Sequence, residues 1–167
     1  WGFTDDYLEL VKERAYNAEG KYSAAQQASA AIALRRALHV MLRLFAPFLP
    51  FATDEVWSWW QTDAGSIHRA AWPTAEELTA GLDAGNASLL ELASQAVSGV
   101  RKAKSDAKVS MKAVVESAVL QAPAAVLTSL RLLETDLKSV GRIVTLGYVE
   151  GEEVAMVDII LAEVDEA

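Results

Sequence analysis

From Tyr22 to Ala46 the chain contains neither proline nor glycine, is rich in alanine, and carries Ile32, Leu34, Leu38, Met41, Leu42 and Phe45 at helical spacing. Such a run predicts one long amphipathic helix, roughly 35 Å end to end at ~1.5 Å per residue. Pro47 and Pro50 then stop it, because proline lacks the amide donor and pushes the residue before it out of the helical region. A chain built around such an element is predicted to be mainly helical at its start.

The flanking segments extend that pattern. Thr4-Asp5-Asp6 offers N-cap chemistry for a first helix over about Asp5–Asn17, and Glu19-Gly20-Lys21 reads as a turn. After the prolines, Thr53-Asp54-Glu55 is expected to cap a short helix carrying Val56, Trp57 and Trp60 on one side and Trp59 on a neighbouring one. Gly65 breaks this pattern, Ser66–Ala71 reads as a short strand, and Pro73-Thr74 opens a new helix or turn. Asn86-Ala87-Ser88 is expected to cap a long helix over Leu89–Ala107, with Leu89, Leu92, Ala93, Ala96, Val100 and Ala103 inward. Beyond Val109 the character changes. Val114–Gln121 alternates like a strand, Pro123 starts a helix to about Val140 closed by Gly141, and Arg142–Val149 and Glu153–Leu161 read as two strands joined by a tight hairpin at Glu150-Gly151. The fold class expected is therefore mainly α: a helical bundle over residues 1–112, followed by a small α+β subdomain over 113–167.

Composition narrows the function. The 167 residues carry a formal net charge of −8, which argues against a surface that grips phosphates everywhere. Much of the acidic excess sits after Glu150, in a stretch without lysine or arginine. Cysteine is absent, so disulfide and thiolate chemistry are excluded and a reducing compartment is compatible. No apolar run approaches the ~20 residues needed to span a bilayer, and the first residues lack the pattern of a signal peptide. With no initiating methionine, the sequence reads as a piece of a longer chain.

Residues able to carry chemistry are few. His39 and His68 are the only histidines and have no neighbours at metal-ligand spacing; no nucleophile elbow or glycine-rich phosphate loop occurs. No catalytic residue, cofactor site or metal site is expected. Trp57, Trp59 and Trp60 offer stacking surfaces for bases, but tryptophans beside an apolar helix also serve as core, and Trp57 and Trp60 are assigned there. The basic residues are the stronger lead. Between Val100 and Lys112, Arg101, Lys104, Lys108 and Lys112 recur at spacings of three and four, one helical stripe if the helix continues that far. This stripe reads either as a phosphate-contact surface or as cations complementing a helix C-terminus. Arg35, Arg36 and Arg43 form a second cluster on the long helix.

Several ordered fragments carry a family likeness. WGFTDDYLELVKERAY resembles the aromatic-acidic helix of the anticodon-binding domain of class I aminoacyl-tRNA synthetases, of the valyl branch most closely. LRLFAPFLPFATDEVW is similar to the hinge in which Pro-Phe-x-Pro-Phe-x-Thr-Glu-Glu-x-Trp is typical, with Asp54 where glutamate is usual. SIHRAAWP resembles the closing Ser-Val-His-x-x-x-Trp-Pro, and Phe51 favours the valyl branch over the isoleucyl and leucyl ones. The likeness covers Trp1 to about Lys112 well and the rest weakly. It implies a cytoplasmic parent that joins valine to its tRNA using ATP, the ATP being held in a catalytic domain elsewhere. It implies that this region docks the anticodon arm of valine tRNAs beside the rest of the synthetase chain, and that at least one bundle helix precedes Trp1. Neither His-Ile-Gly-His nor Lys-Met-Ser-Lys-Ser occurs. By this resemblance the tRNA contacts are Arg35, Arg36, Arg43, Arg101, Lys104 and Lys108. The alternatives are an isoleucyl or leucyl parent, or a helical protein-interaction module with no RNA role, which the charge of −8 suits well.

Overall fold

The computed structural model describes residues 2–81, 85–86 and 88–162. Ala87 of the expected cap and the end of the acidic tail, from Glu163, lie outside the described residues. A π-helical turn over Gly2–Tyr7 leads into α1 (Leu8–Tyr16), followed by α2 (Ala24–Phe45), α3 (Pro50–Ser58), α4 (Ala75–Thr79), α5 (Leu89–Asp106), β1 (Val115–Ala122), α6 (Ala124–Leu130), α7 (Glu134–Gly141), β2 (Ile143–Glu150) and β3 (Ala155–Leu161). Single turns of 3-10 helix cover Ile67–Arg69 and Arg131–Leu133.

By compactness the chain forms two units, and the division does not follow the sequence in one cut. Residues 24–85 form one, while residues 1–23 and 86–167 come together as the other. The helices expected in a single stretch up to residue 112 are therefore shared: α1 and α5 belong with the strands.

In that α/β unit the sheet order is β2-β1-β3. This corrects the expected hairpin. β2 runs parallel to β1 from Val115↔Ile143 to Ala122↔Glu150, and β3 pairs antiparallel on the other edge, Gln121 facing Ala155. β1 is the most buried strand, with Val115, Ala118, Leu120 and Ala122 all at 1% exposure or less, and it takes the centre where both edges are covered. A parallel neighbour needs a crossover, which α6 and α7 supply. Gly151 then carries the chain over the end of β1, its N–H donating to Ala122 O at 3.1 Å; a Cβ there would meet the Gln121 side chain at 2.4 Å. The antiparallel pairing shifts register between Ser117 and Val119, where Asp158 of β3 takes a left-handed φ of 48°. The helix expected from Pro123 to Val140 is broken at Arg131–Leu133, and the left-handed position after it falls on Arg142 rather than Gly141.

The helices α5, α6 and α7 lie against this sheet, and α1 packs on α7. The inward face expected of α5 is observed: Ala93, Ala96 and Val100 are buried. Gly99 lets α5 approach β3 closely, since a Cβ there would lie 3.1 Å from Met156 Cβ. Arg14 of α1 clamps α7 through both carboxylate oxygens of Asp136, which is 2% exposed.

The other unit is held by Leu42, Ala46, Trp57 and Ile67, with Val56 and Trp60 packed around them. Two expectations are corrected here. Ser66–Ala71 is not a strand but a turn around Ile67–Arg69. The short helix starts at Pro50, the favoured first position for a residue without an amide donor, so Thr53 lies inside it and donates to Leu49 O (2.9 Å). The apolar face of α2 is only partly covered: Leu42 is buried, whereas Ile32, Leu38 and Phe45 are exposed.

Removing Asp136 strands the Arg14 guanidinium against α7 without a carboxylate. Asp136→Ala is expected to lower unfolding free energy by about 3 kcal/mol, measured by urea denaturation followed by far-UV circular dichroism. A loss below about 0.5 kcal/mol, the size of an ordinary surface change, would show that the clamp is not structural.

Candidate nucleic-acid interface

The six cations expected to touch RNA sort by burial. Arg43 is 7% exposed, although it lies on a helix that looks open in sequence. Its guanidinium donates to Ala71 O (3.1 Å), to His39 O (3.3 Å) and to both Glu77 oxygens (3.3 and 2.6 Å). Nη2 also lies 3.1 Å from His39 Nδ1. Because guanidinium only donates, that nitrogen is the unprotonated one. Every donor face of Arg43 is thus turned inward, fastening α2 to α4.

Lys104 is more deeply placed, at 2% exposure, with Nζ donating to Gly141 O (2.9 Å) and Met111 O (3.1 Å). Burial, with the nearby charge of Arg142, holds its pKa below the ordinary lysine value. The stripe expected along α5 therefore does not exist as a surface. The helix ends at Asp106, Lys104 turns inward, and Lys108 follows in a left-handed conformation (φ 56°). Arg101 is partly exposed and bonds to Asp5 O (3.1 Å) and Asp6 (3.5 Å).

What remains open is Lys108 in the α/β unit and an arginine pair in the helical unit. Arg35 is exposed and its guanidinium lies 5.0 Å from the centre of the Trp60 ring. Arg36 is partly exposed and donates to Leu78 O (3.1 Å). The tryptophans divide as their spacing implies. Trp57 is core, 4% exposed, and donates to Gly65 O (3.1 Å). Trp60 is partly buried, and its indole N–H has no hydrogen-bond partner among the described residues. Trp59 is 69% exposed and its indole N–H donates to Glu55 (3.1 Å). Cationic planes beside aromatic faces suit unpaired bases and phosphates.

His39 stacks on Trp57 at 4.9 Å between ring centres and meets the edge of Trp60 at 6.0 Å. Its pKa is lowered, by burial first and then by the Arg43 charge, and its ring packs against both tryptophans. Among the described residues no cluster of three potential metal ligands occurs, and no helix is long and apolar enough to cross a membrane.

Asp54, expected in the cap of the short helix and noted as a departure from glutamate, lies inside α3 and ties it to the next turn. It accepts Ser66 Oγ (2.8 Å) and Ile67 N–H (2.9 Å), joining α3 to the turn that closes the core.

Residues 1–120 match the model of the anticodon-binding domain of tRNA ligases. The chain belongs to that family. It is 48% identical over 99% of its length to a valine–tRNA ligase of Leifsonia xyli subsp. xyli, and 47% identical to those of Cutibacterium acnes (over 98%) and Thermobifida fusca (over 97%). The chain spans about 18% of the length of each of these relatives. Arg35, Trp59 and Lys108 are exposed and Arg36 is partly exposed, while Arg43 and Lys104 are buried against neighbouring elements.

The Asp54 carboxyl is held below its ordinary pKa, chiefly by the Ser66 hydroxyl and then by the Ile67 amide. A depressed folded value means stabilisation that is present above the unfolded pKa of about 3.9 and lost as pH falls through the folded value. Four of the five tryptophans lie in residues 24–85, so their fluorescence reports this unit. The fluorescence-detected Tm is expected to fall below about pH 4, and Asp54→Asn is expected to flatten that fall. An unchanged acid limb in the variant would remove Asp54 from this role.

Proposed function

We propose that this chain is the anticodon-arm-binding region of a valine–tRNA ligase, whose parent attaches valine to its tRNA at the expense of ATP. The observation that carries the reading is identity of 47–48% running through nearly the whole chain to valine enzymes, in a region whose first 120 residues match an anticodon-binding domain. In this reading the helices are part of a larger anticodon-binding bundle, and ATP and the aminoacylation chemistry belong to the rest of the parent chain, in the cytoplasm.

The geometry supports the same conclusion. Recognition of an unpaired loop needs planar cations for phosphates and accessible rings for bases. The helical unit offers Arg35 and Arg36 on α2 and Trp59 at the end of α3. The net charge of −8 does not oppose this, since binding follows local potential rather than the chain total. Relatives naming valine throughout speak for the valyl branch over the isoleucyl and leucyl ones. They also speak against a protein-interaction module without an RNA role.

Fluorescence anisotropy with labelled valine and isoleucine tRNA transcripts at low salt tests this reading. The chain is expected to favour valine tRNA. Arg35→Gln/Arg36→Gln is expected to weaken binding about tenfold and to lower the salt slope by ~0.7–0.9 for each phosphate left without its cation. Equal affinity for the two transcripts, or none for either, would contradict it.

A further inference from the structure

The α/β unit contains a cleft of about 950 Å³. It lies between α1, the C-terminal end of α5, the segment before β1, the end of α7 and the start of β2. In a chain of net charge −8, seven cationic side chains line it against three carboxylates, those of Glu9, Glu13 and Glu19. We propose that this cleft is a second RNA-contact site, which holds consecutive phosphates of the tRNA backbone through Lys112, Lys138 and Arg142. The proposal rests on the tRNA reading above and extends it to Lys138 and Arg142, which lie beyond the residues matched to the anticodon-binding model.

The three named cations differ from their neighbours in being uncommitted. Lys12 pairs with Glu9 (2.5 Å), Lys21 with Glu19 (2.6 Å) and Arg101 with Asp6 (3.5 Å), so the charges of these three cations are largely offset. Lys104 is fixed to two carbonyls. Lys112, Lys138 and Arg142 form no ion pair among the described residues, and Lys112 and Arg142 are exposed. The Arg142 charge also acts on Glu19 and Lys104, both of which line the same cleft.

The backbone supports the assignment. Arg142 occupies the left-handed position that ends α7 (φ 53°), a conformation in which glycine is the ordinary occupant. Gly141 stands one residue earlier, where any Cβ would strike Ile143 at 2.8 Å. A long cation is thus retained at the bend, directly at the cleft. A groove of this size lined by several cations suits a ribose-phosphate chain rather than a single small ion. Phosphate contacts of this kind position a nucleic acid and carry no sequence information, so the site adds affinity without altering the preference for valine tRNA.

The test compares the whole chain with Lys112→Gln/Lys138→Gln/Arg142→Gln and with Lys102→Gln, an exposed α5 lysine outside the cleft. Each is titrated with valine tRNA over a range of salt. The triple variant is expected to bind at least tenfold more weakly, with a salt slope lower by about 2, and to keep its preference over isoleucine tRNA; Lys102→Gln is expected to match the parent. Should the triple variant fold poorly, lysine acetylation read by mass spectrometry on the unaltered chain replaces it: tRNA is expected to protect Lys112 and Lys138 and leave Lys102 reactive. Tight binding by the chain with unchanged affinity and slope in the triple variant, or equal reactivity of the three lysines, would overturn the cleft while leaving the tRNA reading intact. No binding by the unaltered chain would remove both. Inorganic phosphate alone, at matched ionic strength, is expected to give no saturable shift; saturation would make this a small-anion site and overturn the backbone assignment.

Discussion

The ammonium of Lys104 sits where α5 ends, almost sealed from water, with one hydrogen bond to the last carbonyl of α7 and one to Met111 in the segment that leads into β1. Burying a charge costs several kcal/mol unless its donors are met, and charge-assisted bonds to two carbonyls offset that cost here. Both helix ends present carbonyls that favour a cation. The position of β1 follows from this pin: Val109 N–H returns to Lys104 O (3.0 Å), and Val115 N–H reaches Arg142 O (2.9 Å) to open the parallel pairing with β2. The walls of the basic cleft are therefore set by a lysine that does not itself face the solvent.

Arg43 performs the equivalent task in the helical unit. It joins α2 to α4 through Glu77, whose carboxyl is held below its ordinary pKa chiefly by the arginine itself. Asp54 then joins α3 to the Ile67 turn beneath Trp57. With the hinge held in this way, Arg35 and Trp59 are left on the outside and Arg36 partly so. The two units share a rule. Cations whose donors are taken up inside the fold, Arg43 and Lys104, shape the elements, and cations with donors to spare are available to a phosphate.

The helices were legible because their signals are local. The proline-free run gave α2 to within a few residues, and the inward set of α5 follows from 3.6-residue spacing alone. Pro50 was misplaced because proline both ends one helix and begins the next, and only the chain's path tells which. The strands β2 and β3 were recognised but mispaired. Glu150-Gly151 has the composition of a hairpin turn, yet the apolar demand of β1 for two neighbours outweighs it, and that demand is non-local. The basic stripe failed for a related reason. Spacing puts Lys104 on a face with Arg101, but burial depends on α7 and Met111, which are distant or off the helix. The family resemblance located the anticodon-binding region; which of its cations face outward was visible only in three dimensions.

The most direct measurement is a nuclear magnetic resonance titration of the arginine Nε–Hε groups with a valine-tRNA anticodon stem-loop. Arg14 and Arg43, locked in their carboxylate pairs, are expected to hold their shifts, while Arg35 and Arg36 move in a saturable way. Movement of Arg14 and Arg43 with Arg35 and Arg36 unaffected would contradict the division of cations on which this account of RNA binding depends.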